Sequence, residues 1–203
     1  FDHVAQNNHM VPVSPSSELL NIAVLARKQL NDEFACLTKV PLNIRHVVDT
    51  CGVYALYYGG NEPLYNLLLA APLHETPIYV GVTMGSLHQR IQDHELSLKN
   101  AGFEVSKFQC RILLTPIDLA KSAEDMLLGQ YKPIWNTVLR GFGLHNQGVG
   151  RQAGKTSAWD RLHPGRPWVT TSRDELEINR LQELVMIYLQ ERCAAMNTLY
   201  ASP

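Results

Sequence analysis

The sequence predicts an α+β fold in which three short strands are set among helices. Three observations carry this expectation. Runs rich in Val, Ile, Leu and Tyr, in GVYALYYGG, TPIYVGVT and FQCRILLTP, are bounded by glycine or proline, the mark of short strands. Longer segments between and beyond them place apolar residues three and four apart, the mark of helices. The 203 residues suit one core with elaborations, since a domain typically takes about 100–200 residues.

The elements follow in chain order. After a loose polar arm, SPSSELLNIAVLARKQL carries capping serines and then Leu19, Leu20, Ala23, Val24, Ala26 and Leu30, which predicts a helix from about Ser16 to Asn31. Val53, Tyr54, Leu56, Tyr57 and Tyr58 predict the first strand, turned by Gly59-Gly60. EPLYNLLLAAPL reads as a short helix or helical turn, and TPIYVGVT as the second strand. SLHQRIQDHELSLKN sets Leu87, Ile91, Leu96 and Leu98 among polar residues, an amphipathic helix capped near Ser86. The third strand, in FEVSKFQCRILLTP, is closed by Pro116. Asp118 to Tyr131 reads as a helix with Leu119, Ala123, Met126 and Leu127 facing inward, stopped before Lys132-Pro133. A polar, Gly-rich tract from Gly141 to Trp168 has no clear period. The last element is a helix. Ser172 and Glu175 form a capping box, and Leu181, Leu184, Val185, Tyr188, Leu189, Cys193 and Met196 make a broad apolar stripe.

Composition narrows the function classes. No apolar run approaches the roughly 18 residues of a membrane span. The opening FDHVAQNNHM lacks the basic-then-apolar order of a secretory signal, so a cytoplasmic location is expected. Cys36, Cys51, Cys110 and Cys193 form no C-x-x-C pair, and their apolar neighbours predict core or half-buried thiols. The net charge of −1 excludes a uniformly basic nucleic-acid coat. Its distribution is uneven, however. Arg140, Arg151, Lys155, Arg161 and Arg166 face a single acid, Asp160, between residues 140 and 166, while acids gather beyond Arg173. Phosphates respond to such local patches rather than to the sum.

The chemistry lies in a distributed pattern. Gly52-Val53-Tyr54 falls on the first strand and Tyr79-Val80-Gly81 on the second. Arg90 and His94 are four apart, which places both on one helix face. Glu124 follows on the next helix, and Asn136 in the KPIWN turn. Two phenols, a guanidinium, an imidazole and a carboxylate form an adequate set for metal-assisted phosphodiester hydrolysis. That reaction needs an in-line nucleophile, neutralisation of a pentavalent phosphorane and stabilisation of the leaving oxyanion. Glu124 supplies the hard oxygen that Mg²⁺ prefers. Arg90 can hold the scissile phosphate with a planar fork. Tyr54 is the candidate base, if a nearby cation favours its phenolate. Tyr79 would orient phosphate or water, and His94 would act as activator or proton relay. Each residue alone is ordinary; the ordered set is informative.

GVY…YVG…LHQRIQDH…E…KPIWN resembles the GIY-YIG nuclease superfamily, from Gly52 to Asn136. Beyond it, GFGLHNQGVGRQAGKTSAWDRLHPGRPW is similar to the segment that follows the core in type II restriction endonucleases of the superfamily, in the branch that cuts a GC-rich six-base palindrome of the CCGCGG type. The resemblance implies a small three-stranded antiparallel sheet flanked by helices, and a single divalent metal per site on Glu124, Mg²⁺ with Mn²⁺ able to substitute. It implies site-specific cutting of double-stranded DNA, one strand per protomer, with a cognate DNA methyltransferase acting separately. The catalytic positions carried over are Tyr54, Tyr79, Arg90, His94, Glu124 and Asn136. Valine replaces isoleucine in both short motifs, and the connection from Tyr79 to Arg90 is compact where that branch is expected to carry an insertion.

One domain over residues 1–203 is expected: a core of about 50–138, an N-terminal arm and helix over 1–49, a DNA-contact tract over 139–168 and a C-terminal helix over 172–200. A polar tract of this length is usually functional. Arg151, Lys155, Arg161 and Arg166 can reach phosphates or the O6/N7 edge of guanine, and His145, Asn146 and Gln147 can read bases by hydrogen bonds. Trp159 and Trp168 are expected to anchor the tract. Cutting a palindrome calls for two-fold symmetry, hence a homodimer. Two alternatives stay open at this point: a homing or repair nuclease of the same superfamily, and a catalytically inactive DNA-binding module.

Overall fold

The computed structural model describes residues 17–43, 50–144, 156–169 and 174–200. His145, Asn146, Gln147, Arg151 and Lys155, and Ser172 of the expected capping box, lie outside the described residues. The elements are α1 (Ser17–Cys36), β1 (Val40–Pro41), β2 (Gly52–Tyr58), β3 (Tyr79–Thr83), α2 (Leu87–Asn100), β4 (Phe108–Leu114), α3 (Ile117–Tyr131), α4 (Ile134–Thr137), α5 (Ala158–Leu162) and α6 (Glu175–Tyr200), with a 3₁₀ segment over Pro63–Leu69.

The sheet runs β1-β4-β2-β3, with every pairing antiparallel. The three expected strands form its body. The fourth, β1, pairs only Val40 with Cys110 and Pro41 with Gln109, too short to leave a period in the sequence. β2 lies in the middle and is buried over its first six residues, which explains why GVYALY reads as a continuous apolar run rather than an alternation. Its side chains divide the core. Tyr54 and Leu56 join Tyr79, Leu87, Ile91, Phe108, Trp135 and Trp159 on one face, with Val185 and Leu189 of α6 behind them. Val53, Ala55 and Tyr57 join Phe34, Ala123 and Leu127 on the other. The sheet is thus a layer between α2, α4, α5 and α6 on one side and α3 with the end of α1 on the other.

Several boundaries differ from expectation for local reasons. α1 continues to Cys36 because Phe34 is fully buried and packs on Tyr131, while Ile22, Val24 and Leu25 stay exposed. Ser86 caps α2, its Oγ accepting from Gln89 N at 3.0 Å. The buried stripe of α2 is Leu87, Ile91, His94, Ser97 and Leu98, so an imidazole takes an apolar slot and Leu96 faces out. In α3 the inward row is Ala120, Ala123 and Leu127; Leu119, expected inward, is 58% exposed beside it. Lys132 ends α3 in the left-handed conformation. Asp174 serves the start of α6, its Oδ1 accepting from Leu176 N at 3.0 Å. Leu184 falls off the buried face of that helix, and Cys36 is exposed although Cys110 is buried. Among the described residues no helix is long and apolar enough to cross a membrane.

Candidate active site

The site assembles where β2, β3 and α2 meet. Tyr54 pairs with Gly81 across the sheet, and Tyr79 with Leu56, so both phenols rise on the α2 side. Gly81 is required there. A Cβ at that position would lie 2.5 Å from Tyr54 Oη, so only glycine lets the Tyr54 ring lean across β3. α2 then brings Arg90 and His94, one turn apart, to the same phenol. Tyr54 Oη lies 2.6 Å from His94 Nε2 and accepts from Arg90 Nε at 3.0 Å. Tyr79 lies beside Tyr54, with ring centroids 6.3 Å apart, and its ring packs edge-on to His94. Four of the six expected positions therefore form one cluster, with Tyr54, Arg90 and His94 joined by hydrogen bonds and Tyr79 by ring packing.

Burial governs its electrostatics. Tyr54 is fully buried, Tyr79 and His94 nearly so. Burial holds the Tyr54 hydroxyl well above its ordinary value, and Tyr79 adds to the rise, while the charge and hydrogen bond of Arg90 oppose it. Tyr79 is raised in the same way, again against Arg90. Both groups therefore rest as phenols. Tyr54, already accepting from Arg90, has its proton to give to His94.

Glu124 sits on α3, which packs on β2 and β3. Its carboxylate is 13% exposed and accepts from Lys121 at 2.8 Å. Its charge reaches both phenols and raises them. Among the described residues no three His, Cys, Asp or Glu side chains cluster to hold a metal. A site built on one carboxylate, completed by water and substrate oxygens, fits the habits of Mg²⁺ and not those of zinc.

Asn136 is placed differently from the rest. Its Oδ1 accepts from Val80 N and its Nδ2 donates to Val80 O, both at 2.8 Å. The side-chain amide is bound to the backbone of β3 next to Tyr79, so it positions the strand.

The expected contact tract also divides. Arg166 was assigned to phosphate or guanine; instead it is 2% exposed and turned inward. Its fork binds Asp160 at 2.6 Å and the carbonyls of Gly141, Phe142 and Leu144. A nearby buried carboxylate and three carbonyls outcompete solvent for it. Arg161 is partly exposed, pairs with Glu177 of α6 and donates to Thr156 O. Trp159 is fully buried against Trp135 and Phe142, and Trp168 is half-buried near Arg166.

Two residues of the site escaped the sequence reading. Phe142 stacks on His94 with ring centroids 4.6 Å apart and planes at 16°. Gly143 accepts from Arg90 Nη2 at 2.7 Å, and a Cβ there would collide with Tyr79 Oη. The only signal was the glycine pair in GFG. Arg90 opens to two grooves, one lined by Thr83, Ser86, Gln89 and Asp93, the other by His94, Ser97, Leu144 and Trp168.

The family model described as the Eco29kI GIY-YIG domain matches residues 46–189, more than half of the chain. No curated protein matches it. The matched span holds β2, β3, α2, α3 and α4 with the whole cluster, together with the Gly141–Trp168 tract and the first half of α6. The chain belongs to the Eco29kI GIY-YIG domain family, a family of restriction endonucleases, which makes it a DNA-binding nuclease.

Proposed function

We propose that the chain is a site-specific type II restriction endonuclease that hydrolyses phosphodiester bonds of duplex DNA at a palindrome, acting in the cytoplasm as a homodimer that cuts one strand per protomer. The observation that supports this best is the Tyr54 hydroxyl held between Arg90 Nε and His94 Nε2. A buried phenol with a proton acceptor on one side and a fixed cation on the other is a proton path beside an anion-binding group.

Arg90 attracts the scissile phosphate along the grooves it lines and offsets charge that develops on the non-bridging oxygens. Tyr79, slightly exposed, orients the attacking water. The water oxygen forms the new bond to phosphorus as the ester oxygen leaves. The water proton passes to Tyr54 Oη while Tyr54 passes its own proton to His94 Nε2, so Tyr54 works as base without resting as a phenolate. Glu124 would hold one Mg²⁺, with Mn²⁺ able to substitute; when bound, the ion supplies Lewis-acid stabilisation of the phosphorane and of the leaving oxygen. Asn136 keeps β3, and thus Tyr79, in register.

Specificity is assigned to His145, Asn146, Gln147, Arg151 and Lys155, with Arg161 able to reach phosphate from beside α6. A GC-rich six-base site of the CCGCGG type and a separate methyltransferase complete the proposal. The test is plasmid cleavage with Mg²⁺ by the wild type beside Glu124→Gln and Tyr54→Phe, with fragment ends sequenced. Discrete fragments sharing one palindrome, lost in both variants, are expected. Duplex binding without cutting, in Mg²⁺ or Mn²⁺, would overturn the catalytic reading in favour of a binding module.

A further inference from the structure

The Gly141–Leu144 turn lies between two guanidinium groups. From one side Arg166 takes three of its carbonyls: Gly141 O at 2.9 Å through Nη2, and Phe142 O and Leu144 O at 3.1 Å each through Nη1. The carbonyl it leaves, that of Gly143, accepts from Arg90 Nη2 on the other side at 2.7 Å. Leu144 N donates back to Gly141 O, closing the turn. Arg166 is itself held: Asp160 accepts from its Nε at 2.6 Å, Trp159 lies 4.9 Å and Trp168 5.7 Å from its guanidinium carbon. Asp160 in turn accepts from Ser157 Oγ. A continuous set of contacts therefore runs from α5 through Arg166 and the turn to Arg90 and Tyr54.

We propose that Arg166, held by Asp160, is a positioning residue for Arg90: it places the turn so that the Gly143 carbonyl sets the plane of the Arg90 guanidinium beside Tyr54. Arg90 emerges from a helix on a flexible stem, and its Nη2 bond to the Gly143 carbonyl ties the guanidinium plane at a second nitrogen beside the Nε bond to Tyr54. The same turn carries Phe142, whose ring stacks on His94, so one buried arginine orders both partners of the Tyr54 hydroxyl. Lysine cannot substitute, because three donors on one nitrogen cannot span the carbonyls of residues 141, 142 and 144 as a planar fork does.

The activity arm of the test rests on the nuclease reading above; the spectroscopic arm does not. Arg166→Lys keeps the charge opposite Asp160 and removes the fork. Leu162→Ala, in α5 and half-buried at the edge of the core that Phe142 and Trp159 share, is the control for ordinary destabilisation. In wild type, Arg166→Lys and Leu162→Ala, the Nε–H signal of Arg90 is followed by ¹⁵N NMR (assigned with Arg90→Lys), alongside Tm and the kinetics of plasmid cleavage. Arg166→Lys is expected to shift the Arg90 signal and speed its exchange with water at temperatures where the protein is folded. Its kcat should fall on the order of 10²-fold, as for a displaced catalytic group, with KM changed less than about threefold. Leu162→Ala should lower Tm alone. If the Arg90 signal of Arg166→Lys stays at its wild-type position, or moves no more than in Leu162→Ala, the proposal is overturned. Should Arg166→Lys fail to fold, Asp160→Asn, which keeps the fork and loosens its anchor, is judged by the same shift. A wild type that cuts no DNA would remove the nuclease reading while the NMR comparison still decides the positioning.

Discussion

Tyr54 Oη and His94 Nε2 stand 2.6 Å apart with both side chains buried. Because Arg90 Nε already donates to the phenol oxygen and burial keeps that phenol protonated, the bond runs from Tyr54 to an unprotonated His94 nitrogen. Cleavage should therefore depend on the ring nitrogen that accepts the Tyr54 proton, and His94→Gln is expected to remove most of the rate. Tyr54→Phe should lower kcat by about 10²–10⁴-fold, and the buried partners it leaves unpaired should cost about 1–3 kcal/mol of stability. A variant retaining wild-type kcat would exclude the relay.

Chelation gives an independent check on Glu124. EDTA should stop cleavage and added Mg²⁺ restore it, while Glu124→Gln should need far more metal for half-maximal rate. An unchanged metal requirement in that variant would place the ion elsewhere.

Gly143→Ala tests the closeness of the turn to the phenols. The new methyl meets Tyr79 Oη, so the turn or the ring must move. Overpacking of this kind costs about 1–3 kcal/mol, readable as a lower urea midpoint, and the rate should fall with it. Wild-type stability and rate together would contradict the packing described.

His163 should impose a pH dependence on stability separate from that of the reaction. Burial lowers it from 6.5 to about 3, and Tyr65 Oη, which accepts from Trp135 Nε1, lies 2.6 Å from its Nε2. The folded state keeps His163 neutral while the unfolded chain takes up a proton below about 6.5, so the contribution is full above that pH. It is lost as pH falls toward 3, by about 1.4 kcal/mol per unit. Denaturant midpoints across that window should drop in the wild type and drop less steeply in His163→Phe, even if that variant is less stable at pH 7.

Asn136→Ala should act on the fold as well as the reaction. Losing both bonds to Val80 leaves the strand's N–H and C=O without those partners, a cost of about 1–3 kcal/mol. Native-state hydrogen exchange should then show Val80 N–H opening faster; unchanged protection would refute the clamp.

Much of this arrangement was legible in the sequence, because local rules reach it. The i, i+4 spacing of Arg90 and His94 places two side chains on one face whatever lies opposite, and the glycine of YVG marks a close approach on a strand. The boundaries of β2, β3, β4 and α2 follow from breakers and caps adjacent in the chain. What stayed hidden depends on partners that the sequence does not bring near one another. Arg166 looked like a cation for DNA since nothing local shows that three carbonyls around residue 142 surround it. Asn136 looked like a reacting group since its partner, Val80, lies 56 positions away. His94 in a buried stripe is invisible to an apolar pattern, which registers Leu96 instead.

The ends of the sheet have a further consequence. On the β3 side, Trp135 N donates to Ile78 O and the Asn136 amide occupies both backbone groups of Val80. On the far side, β1 is two residues long and ends in Pro41, which has no N–H to offer. At these positions the margins are closed, which shortens the template on which a strand from another chain could extend the ladder. The same KPIWN turn that holds β3 beside Tyr79 thus also blocks edge-to-edge pairing at Val80.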